Sequence, residues 1–155
     1  MSYRLHQRQL IAADLPTVFR FFKDPRNLEA ITPPWLGFRL AEVSGREVAE
    51  GTRIRYRLRV HGIPLRWESR IAEYEENARF ADAMVRVPYR TWYHRHLFRA
   101  VPEGVGMEDV VEYALPFGPL GRLAHAVAVR RDLDAIFAYR GKRIEEIFKT
   151  KEVTV

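Results

Sequence analysis

The stretch TWYHRHLFRAVPEGVGMEDVVEYAL, residues 91–115, decides the fold. Thr91 to Ala100 and Met107 to Leu115 alternate between inward and outward side chains, which is the period of a β-strand with one buried face. Between them, Pro102 to Gly106 contains the proline and glycines of a turn. The sequence therefore predicts an antiparallel hairpin here.

More strands are predicted upstream of this hairpin, and two short helices follow the first of them. Asp14-Leu15-Pro16 and Asp24-Pro25 each combine an N-cap residue with a proline suited to the first helical turn. Thr32-Pro33-Pro34 ends the second helix, because proline cannot continue it. The predicted strands are Tyr3 to Ile11, Phe38 to Val43, Thr52 to Val60, Leu65 to Tyr74 and Ala78 to Val85.

Downstream of the hairpin, the spacing of the apolar residues changes to that of a helix. Leu133, Phe137 and Ile144 belong to one apolar stripe. We expect a short helical turn from about Pro119 to Ala126 and a long helix from about Val129 to Lys149. The whole pattern predicts an α+β fold, in which a curved antiparallel sheet of about seven strands wraps a long C-terminal helix.

Composition limits the possible classes of protein. The chain has 155 residues and no cysteine, so we expect one domain over residues 1–155 without disulfide or thiol chemistry. No signal-like or membrane-spanning apolar run is visible, and we expect a cytoplasmic protein without stable membrane insertion.

The net charge is +6. Because Arg53, Arg55, Arg57 and Arg59 alternate with apolar residues, they indicate a solvated strand face, and we expect no nucleic-acid partner. The oligomeric state is left open.

Four polar residues fall on the inward face of the predicted sheet: Asp82, His94, His96 and Asp109. Buried charges must be paired, and two histidines with two aspartates satisfy each other. One interpretation is a structural network, and another is a polar anchor at the end of an apolar ligand pocket. The third interpretation is a chemical function, either acid/base catalysis or a metal site of His94, His96 and Asp109. Because His-x-His alone is a weak metal pattern, we expect no bound metal and no cofactor.

Large apolar and aromatic residues share that inward face or the face of the long helix that meets it. They either fill a solid core or line a cavity, since ligand pockets are built mostly of such side chains. The expected cavity walls are Phe38, Tyr56, Trp67, Phe80, Met84, Trp92, Phe98, Tyr113, Ile136 and Phe137.

Several motifs follow one another in an order that covers nearly the whole chain. They are Thr32-Pro33-Pro34-Trp35-Leu36, Gly51-Thr52, Trp67, Phe80-x-Asp82, Pro88-Tyr89-x-x-Trp92-x-His94-x-His96-x-Phe98, Asp109-x-Val111-x-Tyr113-x-Leu115-Pro116-x-Gly118 and Phe137-x-Tyr139-Arg140. The ordered set resembles bacterial members of the START-like superfamily, also called SRPBCC. This superfamily groups polyketide cyclases/dehydrases, the birch-pollen allergen and coenzyme-Q-binding START domains.

The resemblance implies a helix-grip fold that holds a lipid, quinone, sterol or polyketide-like molecule under the long helix. Our leading hypothesis is a protein that binds or carries such a molecule without catalysis. The alternative is a cyclase, dehydratase or hydrolase that uses His94 or His96 as an acid/base. An interaction module would instead show an exposed apolar patch. Met84 and Val87 stand where the resemblance implies a polar residue and a glycine. We expect Met84 to make the cavity more apolar and Val87 to affect the turn before Pro88.

Overall fold

The computed structural model describes residues 1–86 and 88–149, so the predicted effect of Val87 lies outside the described residues. This part of the chain contains a seven-stranded sheet in which all neighbouring strands are antiparallel. The strands are β1 (Ser2–Ile11), β2 (Arg39–Val43), β3 (Arg53–Val60), β4 (Ile63–Glu75), β5 (Arg79–Met84), β6 (Thr91–Val101) and β7 (Gly104–Ala114).

The strand order is β1-β7-β6-β5-β4-β3-β2, so strands that follow one another in sequence are neighbours from β2 to β7. The pairing of β1 with β7 joins the first strand to the last one. The register shifts in β2 and again in β4, and such irregularities bend a strand and increase its twist. The sheet is therefore curved, as predicted, and its inner face surrounds the C-terminal helix.

Two short helical regions begin at the predicted positions. The carboxylate of Asp14 accepts a hydrogen bond from the backbone N of Thr17 at 3.0 Å, and Asp24 accepts one from the backbone N of Arg26. Both aspartates satisfy backbone donors that a helix start leaves unpaired. The helical segments are α1 (Leu15–Lys23), a 3₁₀ turn (Pro25–Asn27), α2 (Leu28–Ile31), a second 3₁₀ turn (Pro34–Leu36), α3 (Gly118–Ala124) and α4 (Arg130–Lys149).

The C-terminal helix differs from the prediction because it is not interrupted. A π-helical turn, His125–Val129, joins α3 to α4 where the sequence predicted two separate helices. His125 Nε2 lies 2.8 Å from the hydroxyl of Tyr113, and its ring stacks on Tyr3 at 3.5 Å between centroids. These contacts with β7 and β1 fix the wider turn without breaking the helix.

Helix α4 is attached to β1 by side-chain hydrogen bonds to its backbone. Gln9 Nε2 donates to the carbonyl of Gly141 at 2.7 Å, and Gln7 Nε2 donates to the carbonyl of Phe137 at 3.4 Å. A Cβ at Gly141 would lie 2.9 Å from Gln7 Nε2. The glycine that weakens an isolated helix therefore allows the close approach of the sheet.

The turn between β6 and β7 is shorter than predicted. Val101 pairs with Gly104, so only Pro102 and Glu103 lie between the strands, and Gly106 belongs to β7. Gly104 has a φ of +141°, and a Cβ there would collide with the carbonyl oxygen of Ile11. The glycine is needed by the neighbouring β1 as well as by the turn.

Candidate ligand cavity and its polar cluster

A cavity of about 360 Å³ lies between the inner face of the sheet and α4. Aromatic and aliphatic side chains form most of its wall, from α1, α2, four strands (β3 to β6) and α4. Ten of the residues proposed from the sequence line it: Phe38, Tyr56, Trp67, Phe80, Asp82, Trp92, His94, His96, Ile136 and Phe137.

Two of the proposed wall residues instead pack in the core at either side of the cavity. Phe98 is covered by α1, with its ring 5.3 Å from that of Phe19. Tyr113 is 1% exposed and lies under the π-helical turn, where its hydroxyl meets His125. Alternation predicts that a side chain points inward, but not which helix covers it.

Met84 and Asp109 also lie outside the cavity wall. Strand β5 ends at Met84, and the chain turns so that Pro88 and Tyr89 form the wall at this end. Asp109 does not line the cavity; it contacts the imidazoles of His94 and His96, which do. The sequence predicted that Met84 would make the cavity more apolar. This prediction is wrong, because Met84 does not line the cavity.

Asp109 is the centre of a buried polar cluster. His94 Nε2 donates a hydrogen bond to Asp109 Oδ1 at 2.7 Å, and His96 Nδ1 lies 3.2 Å from the same oxygen. Arg140 Nη2 lies 3.6 Å from it on the side of α4. Strand register creates this arrangement, because His96 and Asp109 are direct partners across β6 and β7. Asp109 is thus surrounded by cationic or donor groups.

Asp82 lies on the other side of the two imidazoles, at the cavity wall. Its Oδ1 is 4.0 Å from His94 Nδ1 and 4.0 Å from His96 Nε2. This oxygen is buried and has no hydrogen-bond partner among residues 1–86 and 88–149. Each imidazole therefore turns one nitrogen toward Asp109 and the other toward Asp82.

The two carboxylates differ in pKa because their surroundings differ. Burial alone would raise the pKa of Asp109, but the Arg140 guanidinium and the two imidazoles hold it well below its usual value. Burial raises the pKa of Asp82, and its more distant cationic neighbours do not compensate. Burial and the adjacent His94 lower the pKa of His96 to about 3. His96 is therefore neutral at physiological pH, with a free nitrogen lone pair.

Arg140 is the member of the cluster that sequence reasoning missed as a site residue. It is 9% exposed and lines the cavity, although arginine is rarely buried. The signal was available in the apolar stripe of α4, where Leu133, Phe137, Ile144 and Phe148 are buried and residue 140 continues the same face. A cation inside an apolar stripe predicts a buried anion opposite it.

A second polar group lies in the cavity wall on β3 and β4. The indole of Trp67 donates to Ser69 Oγ at 2.9 Å, and the hydroxyl of Tyr56 lies 3.3 Å from the same atom. Burial, and then the nearby charge of Asp82, raise the pKa of Tyr56. The hydroxyl of Tyr56 is therefore protonated and is a hydrogen-bonding group on the same side of the cavity as Asp82.

An exposed apolar surface adjoins one wall of the cavity. Phe117 is 80% exposed, and Leu120, Leu123 and Val127 follow it along the start of the C-terminal helix with similar exposure. Leu115 and Val129, which flank this segment in sequence, both line the cavity. This is the type of surface that an interaction module requires. Among the described residues, no helix has both the length and the apolar character needed to cross a membrane.

Three solved structures show similarity over nearly the whole chain. The ginseng major latex-like protein 151 from Panax ginseng is 14% identical, with a TM-score of 0.70 over 95% of this chain and 97% of that protein. TTHA0849 from Thermus thermophilus is 21% identical, with a TM-score of 0.65 over 93% of this chain and 97% of that protein. The di-domain ARO/CYC StfQ from the steffimycin biosynthetic pathway is 11% identical, with a TM-score of 0.77 over 97% of this chain and 52% of StfQ.

No protein-family model and no curated protein sequence matches the chain. The structural similarities establish the fold, because they cover 93–97% of this chain with TM-scores of 0.65–0.77. The chain has the START-like helix-grip fold, and the predicted fold class is confirmed.

Proposed function

We propose that the cavity binds or carries a small, largely apolar molecule that has one polar end. The observation that supports this proposal is a cavity of about 360 Å³ with apolar walls and one convergent polar cluster. Pockets for small molecules typically measure about 300–1,000 Å³ and combine apolar walls with a few polar groups that orient the ligand. The volume suits a compact lipid, quinone or polyketide-like molecule better than a long-chain lipid.

The polar end of the ligand would lie against Asp82, His94 and His96. Arg140 adds donor groups there, since its Nε and Nη2 have no hydrogen-bond partner among the described residues. An unpaired buried donor destabilises a protein, and a ligand oxygen in this place would relieve that penalty. A carbonyl, hydroxyl or carboxylate oxygen is therefore the expected polar group.

A binding experiment with two matched variants tests this proposal. An environment-sensitive apolar dye is titrated into the protein, and fatty acids, sterols, quinones and aromatic polyketide-like compounds compete with it. Leu65→Trp places a larger side chain in the cavity wall, whereas Ile63→Trp places it on the same strand at a residue that is 63% exposed. We expect Leu65→Trp to weaken dye binding at least about tenfold, equivalent to ~1.4 kcal/mol, and Ile63→Trp to leave it unchanged. Equal affinity in all three proteins would contradict the proposal.

Catalysis is the second candidate function, because the cluster contains groups suited to proton transfer. His94 is oriented by Asp109 at 2.7 Å, and an oriented imidazole is the usual general base of enzymes. The similarity to the di-domain ARO/CYC StfQ supports a cyclase or dehydratase, and a hydrolase would use the same groups. Compounds that bind are incubated with the protein and analysed by mass spectrometry. A product of altered mass, or of the same mass but different chromatographic retention, that disappears in His94→Gln supports an enzyme, whereas recovery of the unchanged compound supports a carrier.

A further inference from the structure

We propose that Asp82, His94 and His96 bind a divalent transition-metal ion at the wall of the cavity. This inference does not rest on the proposed ligand, because it concerns only side chains of the protein. Two imidazole nitrogens and one carboxylate oxygen form a donor set that zinc and iron(II) sites use, often with positions left open for a small molecule.

The three donor atoms converge on one point. One imidazole nitrogen of His94, one of His96 and one carboxylate oxygen of Asp82 all lie within 4.8 Å of one another. His94 Nδ1 and His96 Nε2 are each 4.0 Å from Asp82 Oδ1. Ligands bonded to one ion at ~2.1 Å are separated by about 3–3.5 Å. Each side chain would therefore shift by only several tenths of an ångström to close on an ion.

Asp109 and Arg140 prepare the two imidazoles for this role. Asp109 accepts a hydrogen bond from His94 Nε2 at 2.7 Å, so this nitrogen carries the hydrogen and His94 Nδ1 presents its lone pair toward Asp82. His96 Nδ1 lies 3.2 Å from the same Asp109 oxygen without forming a hydrogen bond, and His96 Nε2 faces Asp82. A carboxylate behind a histidine ligand is the usual means of fixing the tautomer in metal sites. Arg140 Nη2 lies 3.6 Å from Asp109 Oδ1, on the side of α4, and contributes no competing ligand.

The unpartnered oxygen of Asp82 is the second observation in favour of an ion. Asp82 Oδ1 is buried from solvent, lacks a hydrogen-bond partner among the described residues, and stands 4.0 Å from each imidazole nitrogen. Buried polar atoms normally have partners, and an ion held between these three atoms would supply one. A dication is smaller than a water molecule, and it satisfies one oxygen and two lone pairs together.

The site differs from the one considered in the sequence. There, Asp109 was the carboxylate of the two-His-one-carboxylate set, and the weak pattern led us to expect no metal. The structure shows that Asp109 faces the opposite nitrogens and that Asp82, on β5, faces the cavity. The sequence could not show that Asp82 lies close to the two histidines, because their distance is set by the pairing of β5 with β6. Asp82 and His94 are direct partners across β5 and β6.

The test uses the full chain, prepared without an affinity tag and treated with a chelator. Zn²⁺, Co²⁺, Fe²⁺ and Mn²⁺ are titrated separately by calorimetry, with Fe²⁺ under anaerobic conditions. We expect about one ion per chain for at least one of the first three metals. Asp82→Asn retains the size of the side chain and should weaken binding at least about tenfold.

His61→Ala is the matched control, because His61 and Asp132 form an exposed His–Asp pair at 2.8 Å. We expect this variant to bind metal as the parent protein does. X-ray absorption of the Zn²⁺- or Co²⁺-loaded parent protein provides a readout that needs no variant. It should show two imidazole nitrogens and oxygen at about 2.0–2.1 Å. Absence of saturable binding, an all-oxygen shell, or equal affinity in Asp82→Asn would each overturn the proposal.

Discussion

Replacing Arg140 by Met tests whether the buried guanidinium stabilises the ionised Asp109. The two groups are 9% and 6% exposed, and Arg140 Nη2 lies 3.6 Å from Asp109 Oδ1. With an effective dielectric constant of about 20, this separation corresponds to an attraction of about 4–5 kcal/mol. Removing one partner of a buried ion pair typically costs about 3–5 kcal/mol, because the remaining charge is left uncompensated. We therefore expect Arg140→Met to lower the unfolding free energy by about 3–5 kcal/mol.

Methionine is chosen because its unbranched chain retains much of the apolar stem of arginine. It should preserve packing near Phe22, whose ring lies 5.5 Å from the guanidinium carbon of Arg140. The unfolding free energy is measured by urea denaturation of the metal-free protein, followed by circular dichroism. Arg131→Met is the control on the same helix, at an exposed position, and should change stability by less than about 0.5 kcal/mol.

A double-mutant cycle with Asp109→Asn separates the ion pair from other effects of the substitution. If the pair carries the effect, the double variant should be at least about 2 kcal/mol more stable than the sum of the single changes predicts. A loss below about 1 kcal/mol in Arg140→Met, or additive effects in the cycle, would refute the role given to this charge pair.

Three further outcomes are expected. Gly104→Ala should destabilise the fold by about 1–3 kcal/mol or more in urea unfolding, because its Cβ would meet the carbonyl of Ile11; unchanged stability would contradict this. Tyr113→Phe removes the 2.8 Å hydrogen bond to His125 and should cost about 1 kcal/mol in the same assay, whereas a gain in stability would be inconsistent. Unfolded His96 accepts a proton near pH 6.5 but folded His96 only near 3, so metal-free protein should lose stability as pH falls between these values, and less so in His96→Gln.

The fold was predictable because several local signals agreed. Alternation identified the strands, two Asp-Pro signals marked the short helices, and the change of period at the C-terminus marked the long helix. The errors lie where a distant element decides the local backbone. At the β6–β7 turn, Gly104 passes close to the carbonyl of Ile11. In the C-terminal helix, His125 of the π-helical turn contacts Tyr113 of β7 and Tyr3 of β1.

Only part of the candidate site followed from the sequence. Alternation placed Asp82, His94, His96 and Asp109 on the inner face, where the structure has three of them buried and Asp82 nearly so. It could not tell which carboxylate faces which imidazole nitrogen, because this depends on the register of three strands. Arg140 was missed as a site residue, although its position within the apolar stripe of α4 indicated a buried cation.

The balance of charge separates the functions of the two carboxylates. The carboxylate of Asp109 already has partners within the protein, with the Arg140 guanidinium on one side and two imidazoles on the other. Asp82 Oδ1 is buried and makes no hydrogen bond among the described residues, and such a group costs stability unless something binds to it. Asp82 lies at the cavity wall, where its carboxylate can interact with a bound group. We therefore infer that Asp109 orients the histidines and that Asp82, with their free nitrogens, forms the binding face.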